Sequence, residues 1–141
     1  MIVAKTFKWE AAHRIPWHEG KCKHLHGHSY KMIVEFDGEP NENGIVIDFN
    51  VIKKIVEPYI NAIDHTTIIS SKDNELKEIF EKKDWRYYIL PFDSTAENLC
   101  KYFADLIITE QEKLLSENKI TAISIKIFET ETSYAYLSIK L

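Results

Sequence analysis

Residues that bind metals and move protons are concentrated in one short part of this chain. Four of its six histidines and one of its two cysteines lie between residues 18 and 28. Residues two apart on a strand point to the same face, so His26 and His28 can reach one ion together. His13 ends an earlier stretch in which Trp9 and Ala11 share its parity, so it also points inward. Three imidazoles that leave one coordination position open are typical of a catalytic zinc site.

The alternative is that these histidines have no common role. Two histidines around a glycine are weak evidence alone, and the inward phase of His13 is what strengthens the metal interpretation. His18 and His24 fall in the predicted loop, so they are interpreted as solvated residues or as outer neighbours of the ligands. The sequence therefore predicts zinc, one ion per subunit, on His13, His26 and His28.

The two cysteines receive different interpretations. Cys22 lies between Lys21 and Lys23, and neighbouring cations favour the reactive thiolate form of a cysteine. Such a thiolate can remove a proton or attack a carbon atom, whereas spacing alone leaves open that Cys22 is a fourth zinc ligand. Cys100 lies on the apolar stripe of a predicted helix, which favours a buried, small hydrophobic role.

Two acidic positions are further candidates for the chemistry. Asp64 and His65 directly follow a predicted helix, where a carboxylate can orient an imidazole, although an ordinary C-terminal cap is the simpler local interpretation. Glu129 ends a strand in phase with the inward residues from Ile123 to Ile127. A carboxylate in that position is suited to paired N–H donors of a ligand.

Apolar periodicity predicts the elements that position these residues. Two helices are expected, one from Asp48 to Ile63 containing Pro58, and one starting at Ser94, which forms a capping box with Glu97. Four strands are predicted at 2–12, 26–37, 120–129 and 133–140. In the less regular part of the chain, a short helix is predicted at 74–83 and a short strand at 87–90.

The order of the main elements, ββααββ, predicts an α+β fold. We expect a four-stranded antiparallel sheet covered on one face by two long helices. We expect a single domain over residues 1–141, in which the segment at about 66–92 is variable. An open sheet of this kind leaves edge strands that need pairing, which predicts an oligomer.

Composition narrows the class of protein. Apolar residues make up 45% and charged residues 28% of the chain, which is typical of a globular protein. The net charge of −4 argues against a nucleic-acid-binding surface. No apolar run approaches the roughly 20 residues that cross a bilayer, and the first residues do not form a secretory signal. The expected location is the cytoplasm, without a membrane partner.

The full set of motifs resembles the 6-pyruvoyl-tetrahydropterin synthase and 6-carboxy-tetrahydropterin synthase family. The motifs occur in the family's order over most of the chain. They are Ala11-Ala12-His13-Arg14, Cys22-Lys23-His24-Leu25-His26-Gly27-His28, Gly44 through Asp48-Phe49, Asp64-His65, Ser94-Thr95-Ala96-Glu97-Asn98 and Glu129-Thr130.

This resemblance implies a tunnelling fold, in which trimers close their sheets into a barrel and two trimers stack into a homohexamer. It implies zinc on the three predicted histidines and Cys22 as the general base. It also implies that Asp64 and His65 form a proton relay supplied across a subunit boundary. Glu129 would anchor the amino-pyrimidine edge of a pterin, helped at the ring by Thr95 or Ser94.

The spacing of the cysteine motif is similar to that of the 6-carboxy-tetrahydropterin synthase branch. Three residues separate Cys22 from His26, whereas the gap is longer in the pyruvoyl-forming animal enzymes. The resemblance implies 7,8-dihydroneopterin triphosphate as substrate. The products would be 6-carboxy-5,6,7,8-tetrahydropterin, acetaldehyde and triphosphate, in an early step toward queuosine.

Other functions remain open at this stage. The alternatives are a pyruvoyl-forming synthase, a lyase similar to dihydroneopterin aldolase, or a non-catalytic assembly that binds zinc and pterin. The chain also departs from the family pattern: the stretch from Thr66 to Leu90 is longer than in compact members, and Asp64-His65 lacks the Leu-Asn that often follows. Both departures concern the rim of the pocket.

Overall fold

The backbone forms one six-stranded sheet with helices packed on it. The computed structural model describes all residues from Met1 to Leu141. The strands are β1 (Ile2–His13), β2 (His26–Gly38), β3 (Thr66–Ser70), β4 (Tyr87–Leu90), β5 (Ile120–Phe128) and β6 (Tyr134–Lys140). The helices are α1 (Phe49–Ile63), α2 (Asn74–Lys83), α3 (Ala96–Glu110) and α4 (Glu112–Glu117), with a 3₁₀ turn at Lys21–Lys23. None of the helices is long and apolar enough to cross a membrane.

The spatial order of the strands is β4-β3-β1-β2-β5-β6. The four strands expected in the sheet, β1, β2, β5 and β6, are antiparallel neighbours. Strands β3 and β4, the second of which matches the short strand predicted at 87–90, extend the sheet beyond β1 in parallel orientation. The α+β class is therefore confirmed, whereas the predicted four strands and the simple ββααββ order are wrong.

The unpredicted strand β3 is buried on both faces. Ile68 belongs to the main core, while its neighbour Ile69 packs on the other side against Leu76 and Phe80 of α2. All five residues of β3 are buried. A strand covered on both faces has no alternation of apolar and polar residues, so the pattern that revealed the other strands is missing here.

The main core lies between the sheet and the helices α1 and α3. As predicted, one parity of β2 faces it, and Tyr30 stacks on Trp9 of β1 with ring centroids 4.9 Å apart. The inward residues of β2, all buried, are Tyr30, Met32, Val34 and Phe36. The same alternation continues to the end of β1 and back to the start of β2. The next inward side chains on both strands are histidines, so they meet at one end of the sheet.

The start of α3 differs from the predicted capping box. Thr95, not Ser94, is the N-cap residue, and its hydroxyl accepts a hydrogen bond from the amide of Asn98 at 3.2 Å. The helix is also divided in two: α3 stops at Glu110, and α4 begins after one residue. The carbonyl and hydroxyl of Ser94 are consequently available for another partner.

Helix α1 follows the prediction more closely. Asp48 is its N-cap and accepts a hydrogen bond from the amide of Asn50 at 2.6 Å. The helix continues through Pro58 to Ile63, although proline removes one helical hydrogen bond. Asp64 is the C-cap, as the simple local interpretation required.

Candidate active site and metal centre

Three histidine side chains meet where β1 ends and β2 begins. His13 and His26 are direct partners in the antiparallel pairing, and His28 lies opposite Ala11 on the same face. One ring nitrogen from each histidine lies within 4.8 Å of the other two. The ring centroids are 4.7 to 5.1 Å apart. The three predicted ligands are therefore close enough to share one metal ion.

The hydrogen bonds of His13 leave one nitrogen free for a metal. Its side chain is 2% exposed, and Nδ1 donates to the carbonyl oxygen of Ser94 at 3.0 Å. The proton must then be on Nδ1, so Nε2 carries a lone pair. This buried Nε2 has no hydrogen-bond partner. Buried polar atoms without partners are rare, and this one fits a metal-binding nitrogen.

His26 is oriented in a similar way. Its Nδ1 lies 2.7 Å from the carbonyl oxygen of His24 and donates to it. A carbonyl that fixes the tautomer of a histidine is the usual outer partner of a metal ligand. His24, predicted to be a loop residue, thus contributes its backbone rather than its ring.

Burial favours the neutral form of His13 and of His28. Burial, followed by the nearby His26, lowers the pKa of His13 to about 4. Burial and His26 also lower the pKa of His28. Neutral imidazole is the form that binds a metal. The 4.0 Å contact between His13 Nε2 and Glu129 Oε1 is therefore not an ion pair, since it would require a protonated ring.

The donor set fits zinc. It consists of three imidazoles, and neither Cys22 nor Glu129 belongs to the group whose ligand atoms converge. Three protein ligands leave a fourth position of a tetrahedral ion open to a substrate.

A cavity of about 270 Å³ lies beside His13. Its walls come from the loop after β1, the start of α3 and the end of β5. They are formed by His13, Ile15, Trp17, His18, Cys22, Thr95, Ala96, Glu97 and Glu129. A predicted metal ligand, a thiol and a carboxylate are thereby brought to one space. A larger cavity of about 450 Å³ along α3 contains none of the predicted site residues.

Cys22 occupies the middle of the 3₁₀ turn and is half-buried. The amide of Ile15 donates to its carbonyl oxygen at 2.8 Å, which ties the turn to the strand end that carries His13. Cys100, in contrast, is 1% exposed in the core, as predicted. Burial raises the pKa of the Cys100 thiol to about 11. The cysteine at the cavity is therefore Cys22.

Glu129 follows β5 directly and reaches the cavity half-buried. Burial, followed by the nearby Glu97, raises the pKa of its carboxyl group. Thr95 lines the same cavity, although its hydroxyl oxygen is already used as the helix cap. Ser94 does not line it, because this buried residue lies behind His13 and holds its ring.

Asp64 and His65 do not join Cys22 within one chain. They lie 2.9 Å apart, from Asp64 Oδ2 to His65 Nδ1. Asp64 Oδ1 accepts the amide of Glu10 at 2.9 Å, which is the main reason that the pKa of Asp64 is lowered. His65 has a φ of 56° and is 73% exposed. It lines a separate cavity of about 310 Å³ with Gly27 and Ser29.

The segment at 66–92 is hydrogen-bonded to the loop next to the metal ligands. Arg14 follows His13 and donates to both carboxylate oxygens of Asp73, at 2.7 and 2.6 Å. Asp73 caps α2 by accepting the amide of Leu76. The guanidinium of Arg14 lowers the pKa of Asp73. Bidentate pairs of this kind fix geometry as well as charge.

The cavity wall also includes Trp17 and His18, which are not among the predicted site residues. The indole N–H of Trp17 donates to Asp93 at 2.7 Å, which anchors this exposed ring at the cavity. His18 had been interpreted as a loop histidine. Loops carry no periodic signal, so only the presence of imidazole and indole beside the cysteine motif could have indicated these positions.

Comparison with known proteins gives one family. The chain matches the family model for 6-pyruvoyl tetrahydropterin synthase over residues 2–139. The 6-carboxy-5,6,7,8-tetrahydropterin synthase of Haemophilus influenzae is 30% identical over 140 residues, covering 94% of each chain. The enzyme of the same name from Aquifex aeolicus is 31% identical over 154 residues, again covering 94% of each.

Solved structures show the same fold. The 6-pyruvoyl tetrahydropterin synthase of Plasmodium falciparum superposes with a TM-score of 0.78 at 22% identity, covering 99% of both chains. That of Plasmodium vivax gives 0.79 at 19% identity, covering 100% of this chain and 99% of the other. The extent of the sequence match, and the relatives at about 30% identity, show that the chain belongs to the 6-pyruvoyl tetrahydropterin synthase family.

Proposed function

We propose that this protein is a zinc-dependent lyase that converts 7,8-dihydroneopterin triphosphate to 6-carboxy-5,6,7,8-tetrahydropterin, acetaldehyde and triphosphate in queuosine biosynthesis. The observation that carries the proposal is the unpartnered Nε2 of His13, converging with two further imidazoles beside a cavity that holds Cys22 and Glu129. The names of the bacterial relatives and the three-residue spacing between Cys22 and His26 support the carboxy-forming branch.

The three histidines are proposed to hold one zinc ion per subunit. A zinc ion bound by His13, His26 and His28 would act as a Lewis acid toward hydroxyl oxygens of the substrate. The protein's own contribution is to aim the imidazoles. The carbonyl oxygens of Ser94 and His24 do this by fixing the Nδ1–H tautomers of His13 and His26.

Cys22 is the proposed general base. It lines the same cavity as His13 but lies outside the group of converging ligand atoms. A base must come within hydrogen-bond reach of the proton that it removes. The backbone bond from Ile15 to Cys22 fixes the turn beside the end of β1, so a substrate next to His13 would also be next to the thiol.

Glu129 is proposed to anchor the amino-pyrimidine edge of the pterin. The pKa of this carboxyl group is raised because burial disfavours its charged form. A ligand that presents two adjacent N–H groups would compensate for the lost hydration through charge-assisted hydrogen bonds. Thr95, at the same cavity, is a further proposed contact, whereas Ser94 acts through His13.

Asp64 and His65 are proposed to serve the active site of a neighbouring subunit. In one chain His65 lines a different cavity from Cys22, and its ring is largely exposed. The sheet also ends in two edge strands, β4 and β6, which offer unpaired backbone groups to another copy. A homo-oligomer, as a trimer or a dimer of trimers, would satisfy both features.

Complementation tests this shared site. Cys22→Ala and His65→Ala subunits should each be inactive alone, whereas co-expressed subunits should regain activity, because a mixed boundary pairs an intact Cys22 with an intact His65. Turnover and sedimentation of the co-purified mixture are the measurements. A mixture that co-assembles but stays inactive, or a fully active monomer, would contradict the proposal.

Product analysis tests the proposed reaction. Zinc-loaded protein is incubated with 7,8-dihydroneopterin triphosphate and the products are identified by mass. We expect a carboxylated tetrahydropterin together with acetaldehyde. A pyruvoyl product would identify the other branch of the family, loss of the side chain without triphosphate release an aldolase-like lyase, and tight binding without turnover a pterin-binding assembly.

A further inference from the structure

The loop after β1 holds His18 in a single tautomer. The backbone N–H of Gly20 donates to Nδ1 of His18 at 2.8 Å. An amide can only donate, so Nδ1 must be unprotonated and the ring proton must lie on Nε2. His18 therefore presents an N–H donor on the ring edge that faces away from Gly20, and this residue lines the cavity of Cys22 and Glu129.

The fit of the ring depends on the absence of a side chain at residue 20. A Cβ atom built on Gly20 would lie 2.9 Å from Cε1 and 3.2 Å from Nδ1 of His18. Contacts this short force the neighbour to move. The amide of His18 is also fixed, because it donates to the carbonyl oxygen of Ile15 at 3.0 Å. The ring is thus positioned by Gly20, and the backbone that carries it is anchored to Ile15.

The other side-chain N–H donors of this cavity are already used. The indole N–H of Trp17 donates to Asp93, and Nδ1 of His13 donates to the Ser94 carbonyl. The Nε2–H of His18 is the one side-chain N–H group among the lining residues that has no partner. His18 is exposed, so water can satisfy this N–H in the free protein, and a ligand that displaces the water is expected to offer an acceptor in its place.

The charges of the cavity restrict that acceptor. Glu97 and Glu129 both line it, and no Lys or Arg does. Two carboxylates repel a polyanion, and the proposed zinc ion would be engaged by hydroxyl oxygens of the substrate, so the triphosphate would lie elsewhere. An uncharged oxygen remains, as in a ring carbonyl or a side-chain hydroxyl.

We propose that His18 is a substrate-binding residue whose Nε2–H donates to an uncharged oxygen of the pterin while Glu129 holds the N–H groups of its amino-pyrimidine edge. This inference rests on the proposed function and adds a specificity contact to it. The donor would reject heterocycles that carry a hydrogen-bond donor at the matching position, because two donors would then face each other.

Two independent substitutions remove this contact. His18→Phe keeps a flat ring without the N–H group, and Gly20→Ala keeps His18 but displaces its ring. The measurement is binding of 7,8-dihydroneopterin, which has no phosphates, to zinc-loaded protein. Each variant should bind roughly tenfold more weakly, the double variant no more weakly than either, and zinc content should be unchanged.

Matched variants separate contact from structure. Glu19→Gln alters the exposed neighbour of His18 and should bind as the wild type does. His18→Gln restores an N–H donor and should recover part of the affinity. In turnover, His18→Phe should raise KM more than it lowers kcat.

Three results would overturn the inference: wild-type affinity in His18→Phe, loss of zinc in that variant, or weaker binding of the triphosphate without weaker binding of 7,8-dihydroneopterin. The last result would mean that the Nε2–H of His18 donates to the phosphates rather than to the pterin. If the wild-type zinc protein binds no pterin, the proposed function itself fails, and that outcome is visible before any variant is made.

Discussion

Cys22→Ala is expected to lower turnover by about 10²–10⁴-fold, the usual effect of removing a general base, while zinc and pterin binding persist. The reason is the position of Cys22, which lines the cavity but does not belong to the three-histidine group. Turnover and equilibrium binding of 7,8-dihydroneopterin, measured on the same preparation, check this expectation.

Cys100→Ala is the matched control. This second thiol is buried in the core, where its Sγ lies 3.5 Å from the carbonyl oxygen of Ala135, so its removal affects packing rather than chemistry. The control variant should keep its turnover and lose some thermal stability. Full activity of Cys22→Ala would exclude the thiol as the base.

His13→Ala is expected to lose zinc and, with it, turnover. His13 is the most buried of the three histidines, and its ring is positioned by Ser94. Even the outer hydrogen-bond partners of metal ligands are worth 10–100-fold in affinity, so removal of a ligand should weaken zinc binding by more than about 100-fold. Competition with a zinc chelator measures the affinity, and circular dichroism confirms that the variant folds.

His24→Ala is the control for this second prediction. Only the backbone carbonyl of His24 contacts His26, and the substitution leaves that carbonyl in place. Zinc affinity should therefore stay within a small factor of the wild-type value. Equal loss of zinc from His24→Ala and His13→Ala would mean that the ligand set has been assigned wrongly.

Strand periodicity explains why much of the site could be predicted. The inward parity of β1 runs through Trp9 to His13, and that of β2 runs from Phe36 back to His28 and His26. Pairing of two strands with a shared inward face leaves little freedom for where the terminal side chains go. The convergence of the three histidines was therefore accessible from the sequence.

The remaining features depend on tertiary packing. Strand β3 has no alternating pattern because α1 and α2 cover its two faces, so the six-stranded sheet could not be counted correctly. Ser94 matched a capping box, yet Thr95 takes the cap and Ser94 holds His13 instead. Adjacent hydroxyl residues offer the same local chemistry, and only the packing of α3 against the sheet decides between them.

The conformation of the loops could not be predicted from sequence patterns either. Trp17 and His18 reach the cavity because the turn at Lys21–Lys23 folds back toward Ile15. Asp64-His65 was correctly placed at a helix end, but the position of His65 on another cavity follows from the hydrogen bonds of both residues to Glu10. Such contacts join residues far apart in the chain.

The central claim is that three imidazoles hold the zinc while the thiol remains a catalyst. Zinc-edge X-ray absorption, with zinc content, on the wild-type and Cys22→Ala proteins tests it most directly. We predict one zinc per subunit in both, with nitrogen or oxygen scatterers at about 2.0–2.1 Å and the same spectrum. A sulfur scatterer at about 2.3 Å in the wild type, lost together with zinc in Cys22→Ala, would contradict the claim and make Cys22 a ligand.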